Sequence, residues 1–138
     1  MTGEPQDGGT AGRALRNVHA RIACWAFVRV LEQGRAPTLH IVGYIAEHQR
    51  LSDNVGEPYI GSSLRGIDLE RRTAINRRGR LVELVGEPFP TGHLPHDFHM
   101  MMRRAAAEWR VPDDAVWERV ELSELHEFQA ENLPGNSA

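Results

Sequence analysis

The run with the richest donor chemistry in this chain is His93-Leu94-Pro95-His96-Asp97-Phe98-His99. Three imidazoles and a carboxylate within seven residues are ligands for zinc or another borderline metal, and His96 and His99 would stand one helical turn apart. A structural zinc site brings spaced Cys/His pairs, however, and a catalytic one adds a general base in register; neither accompanies this run. The segment reads instead as the N-terminal turn of a helix, its polar residues meeting free backbone N–H groups while Phe98 turns inward. His93, His96 and His99 stay as weak candidate metal ligands, and no cofactor is expected.

The second constellation is basic. Arg65, Arg71, Arg72, Arg77, Arg78 and Arg80 face only Asp68 and Glu70 within 65–80, and they fall on the turns of a hairpin. Small β-sheet modules bind nucleic acid with basic loops of this kind plus exposed aromatic platforms, and here only Tyr59 is close in sequence. From 113 onward the balance reverses. Seven carboxylates, beginning with Asp113, Asp114, Glu118 and Glu121, oppose Arg119 alone. Such a segment can mimic phosphate, dock on the arginines, or face water. All 16 basic residues are arginine. Its planar fork suits phosphate, although a GC-rich codon preference explains the same composition.

Nucleophilic chemistry finds little support. Ser62-Ser63 lies between Gly61 and Leu64, and Cys24 lies in an apolar run, so neither has the elbow or helix-entry context that exposes a nucleophile. Glu47 with His48, or Asp68 with Glu70, can be drawn as acid–base pairs, but turn residues have this composition routinely. No enzyme activity is expected.

The elements that would position these residues begin at an ambiguous stretch, 14–31. With period two, Ile22, Cys24, Ala26, Val28 and Val30 share a face, and Trp25 and Phe27 take the other. With period 3.6, Leu15, Val18, Ile22, Trp25 and Val28 form a stripe. The β-branched and aromatic content favours a strand over 20–31. A loop leads to an alternating strand at 39–45, a polar turn at 52–58, and an extended segment at 59–64. The hairpin follows, with Thr73-Ala74-Ile75 and Leu81-Val82-Glu83-Leu84 joined by Asn76-Arg77-Arg78-Gly79. Asn opening a type I turn and Gly in the left-handed position are its signature.

Beyond Pro90 the period changes. Phe98, Met101, Met102, Ala105, Ala106 and Trp109 mark an amphipathic helix that Val111-Pro112 ends. Asp113-Asp114 then opens a short second helix with Val116, Trp117 and Val120 inward, and Ser123 caps a last turn holding Leu125 and Phe128. The expected fold is α+β, a small antiparallel meander of about five strands covered by the amphipathic helix and the short second one.

A chain of 138 residues with 41% hydrophobic content makes one domain with a real core. The domain is drawn at 13–128, with the meander over 20–86 and the helical part over 95–128. The Gly/Pro-rich leader 1–12 and the tail 129–138 are expected to be disordered. A single cysteine excludes an internal disulfide and fits a reducing compartment. No apolar run is long enough to cross a bilayer, so a cytoplasmic protein without a membrane partner is expected.

The 39–86 stretch resembles a family of small phage and prophage proteins of unknown function. The likeness rests on Ile41-Val42-Gly43-Tyr44-Ile45, His48, Asp53-Asn54, Ile60-Gly61-Ser62-Ser63, Ile67-Asp68, Thr73, Gly79 and Leu84-Val85-Gly86, with departures at Gln49 and Val82. These are mainly turn formers, so the resemblance implies a fold and a mobile-element context. The expected function is a non-enzymatic binding protein that docks on a host protein or protein–nucleic-acid complex, as an inhibitor of bacterial defence of anti-CRISPR type would. The alternative is a small β-fold nucleic-acid binder using the arginine hairpin. Met100 and Trp117, outside the helix stripe, also admit self-association.

Overall fold

A computed structural model of the chain describes residues 18–48 and 55–128. The expected leader and tail, residues 13–17 of the domain and the first part of the polar turn lie outside the described residues.

The strands β1 (Ala20–Leu31), β2 (Thr38–His48), β3 (Pro58–Ile60), β4 (Leu64–Asp68), β5 (Thr73–Asn76) and β6 (Leu81–Val85) form one sheet in the order β3-β2-β1-β6-β5-β4. A seventh, β7 (Val116–Val120), pairs with β1 as well. The helix α1 (Phe98–Trp109) and a 3-10 segment (Leu122–Phe128) complete the described fold.

The sheet is mixed, with seven strands where the sequence pattern predicts an antiparallel meander of about five. The predicted consecutive pairings hold for β1–β2, β2–β3, β4–β5 and β5–β6, but β1 and β6 are parallel neighbours. It follows that β3 and β4 run in the same direction from opposite ends of the order. Only Gly61-Ser62-Ser63 joins them, a link that spans at most roughly 14 Å. The sheet must therefore curl until its outer strands meet, and β2 and β4 do come into contact. Gly61 N–H donates to Ile41 O on β2 (2.9 Å), while Ser63 O accepts from Arg77 N–H just past β5 (3.0 Å). β3, the link and β4 thus behave as one bent strand.

The face assignment read from simple alternation in β1 is corrected by a bulge. The register with β2 shifts between Ala23 and Ala26, where exposed Cys24 takes φ 50°. One extra residue flips the alternation. Ala20, Ile22, Trp25 and Phe27 therefore share the inner core with Leu39, Ile41, Ile45 and Val82. Ala26 and Val28 face outward with Val42 to meet Met101 of α1. Both faces of β1 are buried. Gly43 sits opposite the bulge, where a Cβ would stand 2.6 Å from both Ala23 O and Ile22 Cγ2, so only glycine permits this approach.

The second predicted helix is replaced by β7. Val116, Trp117 and Val120 fit a helical stripe, but β6 covers only Ala20–Ala23 of the twelve-residue β1. The rest of that edge would leave backbone groups unpaired, and β7 fills it from Phe27 to Leu31. The last turn is a 3-10 segment with Leu125 buried. Arg119 of β7 donates to the carbonyls of Phe89, Pro90 and His93, which straps the lead-in of α1 to the sheet. α1 then lies across β1, β2 and β3. It buries Met101 and Ala105, and it ends where Arg110 turns left-handed at φ 58°.

Candidate functional site

The curl places four separate segments around one groove. Its floor is the link, Gly61-Ser62-Ser63. One wall is the β5–β6 hairpin turn, where Asn76 Oδ1 accepts from the N–H groups of Arg78 (2.9 Å) and Arg80 (3.0 Å). Gly79, at φ 82°, completes the turn as its sequence predicts. These bonds hold the backbone of the arginine loop in place. The other wall is the C-terminal half of α1, with Arg104, Glu108 and Trp109. The β1–β2 turn adds Glu32 and Arg35 at one end.

Two hollows make up the groove and share Ser62, Arg78 and Trp109. The one between α1 and the bent strand has a volume of about 330 Å³ and takes in Tyr59, Arg80 and Arg104. The one toward the β1–β2 turn, about 290 Å³, takes in Arg35, Thr38, His40, Ser63 and Arg77. Five arginines and two glutamates line the pair, so the groove is strongly positive on a protein whose net charge is −3.

An aromatic column braces this groove. His40 is buried on β2 and stacks on Trp109, with ring centroids 4.7 Å apart and planes 17° apart. Trp117 of β7 lies parallel to Trp109, offset at 6.3 Å. The imidazole is tied at both nitrogens, Nδ1 to Gly61 O and Nε2 to Thr38 Oγ1, each at 2.9 Å. A carbonyl only accepts, so Nδ1 carries the proton and Nε2 accepts from the threonine hydroxyl. Burial holds the His40 pKa below its ordinary value, against the opposing pull of the Gly61 carbonyl. The neutral ring thereby fixes the link to β2 and orients Trp109.

Tyr59 lies on the link side of the same groove. Burial pushes its pKa up to about 12, so it remains a phenol throughout the neutral range. Its ring lies over Gly61, where a Cβ would be 2.7 Å from the hydroxyl oxygen and 3.1 Å from Cε2. The missing side chain at Gly61 lets the ring lie there.

The six arginines singled out in the sequence divide. Arg77, Arg78 and Arg80 reach the groove. Arg65 is exposed on β4 and lines neither hollow. Arg71 stands 3.7 Å from Asp68 within its own turn. Arg72 lies over the Trp25 ring, 5.5 Å from its centroid, and donates to Gly86 O. The acidic candidates divide as well. Asp113 and Asp114 are exposed before β7, whereas Glu118 pairs with Arg29 across the β1–β7 ladder. Glu121 is 3.4 Å from Arg119 and accepts from Gly92 N–H. His93, His96 and His99 are exposed, and no three His, Cys, Asp or Glu groups converge on a metal position among the described residues.

Sequence reading missed Arg35, Arg104 and the groove role of Trp109. Trp109 fits the buried stripe of α1, yet it is only partly buried, and no local pattern reveals that it meets the hairpin. No helix among the described residues is long and apolar enough to cross a membrane. No protein-family model, curated protein or solved structure matches this chain.

Proposed function

We propose that the chain is a non-enzymatic cytoplasmic binding protein that holds single-stranded nucleic acid in the groove between α1 and the β5–β6 hairpin. The observation that carries this reading is the convergence of Arg35, Arg77, Arg78, Arg80 and Arg104 on a cleft walled by Trp109. Guanidinium groups neutralise and orient phosphates, and an aromatic wall offers stacking surface to bases without choosing among them. A narrow cleft of this size admits a single strand, whose bases are splayed, more readily than a rigid duplex.

Anisotropy titration of a labelled single-stranded oligonucleotide over a range of salt tests the reading. Binding should weaken with salt, and the Arg77→Ala/Arg78→Ala/Arg80→Ala variant should lose affinity by roughly a hundredfold at low salt. Its salt slope should shrink by about 0.7 for each phosphate contact removed. Binding by that variant at unchanged affinity and slope would sink the proposal.

The mobile-element reading, a defence inhibitor docked on a host complex, draws on a different surface. Exposed Asp113, Asp114 and Val116 support it. It predicts a stoichiometric host protein that stays bound after nuclease treatment and in high salt.

A further inference from the structure

We infer that the hollow between α1 and the bent strand is a subsite for a terminal phosphate monoester, held by Arg78, Arg80 and Arg104 with the hydroxyls of Tyr59 and Ser62. This rests on the nucleic-acid reading of the groove and specifies which part of the strand sits where. Three features of the hollow support it.

The first is charge. Three arginines against Glu108 give this hollow an excess of two positive charges. An internal phosphodiester carries one negative charge and two free oxygens. A monoester carries about −1.5 to −2 and offers three acceptor oxygens, which is the better match. The second is donor geometry. The arginines come from both walls, Arg104 from α1 and Arg78 and Arg80 from the hairpin, and Tyr59 and Ser62 stand on the bent strand between them. An anion seated there would meet donors from both sides and from below, as oxyanion sites require.

The third is Tyr59 itself. The partly buried phenol lines the hollow, and it stays protonated at neutral pH, so its hydroxyl is a donor there. A phosphate oxygen is the acceptor this cleft is charged to attract. The other hollow, with Arg35, Arg77 and Trp109, is left for the nucleotides that follow the terminal phosphate.

The test compares one short oligonucleotide sequence carrying a 5′-phosphate, a 3′-phosphate or hydroxyls at both ends, titrated against the full chain and its Tyr59→Phe and Arg104→Gln variants. One phosphorylated end should bind roughly tenfold more tightly than the hydroxyl form, and that ratio should fall toward one in both variants. Retention of fold in Tyr59→Phe, which removes one oxygen only, is checked by its circular dichroism. Equal affinity for all three oligonucleotides would overturn the subsite while leaving the groove reading in place. If no oligonucleotide bound, a response of the Tyr59 and Arg104 resonances to inorganic phosphate would support the subsite and remove the polymer reading. Silence there too would overturn both.

Discussion

The two sides of the sheet use arginine in opposite ways. Along β1 and β7 arginine has internal tasks. Arg29 pairs with Glu118, Arg119 holds three loop carbonyls and lies beside Glu121, and Arg21 bridges Glu47 and Glu83. On the groove side, Arg35, Arg77, Arg78, Arg80 and Arg104 pair with no carboxylate among the described residues. The same side chain thus serves cohesion in one region and presents charge in the other. What separates the two is the curl of the sheet, which gathers turns from distant parts of the chain while the β1–β7 ladder matches charges strand to strand.

The two uses of arginine differ most at Arg119. Its side chain is 9% exposed, and removing it unties the lead-in of α1 at Phe89, Pro90 and His93 and leaves a void at the sheet. Arg119→Met should cost roughly 2–4 kcal/mol in urea unfolding, whereas Arg78→Ala should stay within about 0.5 kcal/mol and act on binding instead. Equal stability losses at the two sites would erase the distinction. Next in size is Gly43→Ala, which drives a methyl against the Ala23 carbonyl. A loss of about 1–3 kcal/mol is expected, and a neutral result would mean that the bulge at Cys24 yields.

His40 sharpens the contrast through pH. Its folded-state pKa lies below the ordinary value of 6.5, so the unfolded chain takes up a proton more readily than the folded one. The stabilisation is complete above 6.5 and is lost as pH falls through the folded value. Stability should therefore decline on acidification below 6.5, and His40→Gln should flatten that part of the profile. A parallel profile in the variant would assign the decline to other groups. The smallest effect belongs to the Arg29–Glu118 pair, whose side chains are 27% and 39% exposed. A double-mutant cycle there should return less than about 1 kcal/mol, falling with added salt.

Much of the fold was legible because it is local. The 20–31 strand, the Asn76–Gly79 turn and α1 all follow from residue type, period and turn chemistry. The bulge was hidden because Cys24 carries no glycine or proline to announce a left-handed backbone. β7 was misread because Val116-Trp117-Glu118-Arg119-Val120 satisfies a helical stripe, and the deciding partner, the uncovered edge of β1, lies about ninety residues earlier. The site was half legible for the same reason. Arg77, Arg78 and Arg80 stand together in sequence, but Arg35, Tyr59, Arg104 and Trp109 meet them only once β3 and β4 have joined the edges of the sheet.

The central claim, that the groove and not the β7 side is the binding surface, is tested most directly by following side-chain N–H resonances while a single-stranded oligonucleotide is added. The account predicts that the Trp109 indole and the guanidinium signals of Arg77, Arg78, Arg80 and Arg104 shift together and saturate. Those of Trp25, Arg29 and Arg119 should stay in place. Shifts confined to Arg29, Arg119 and the residues of β7, or none at saturating oligonucleotide, would contradict it.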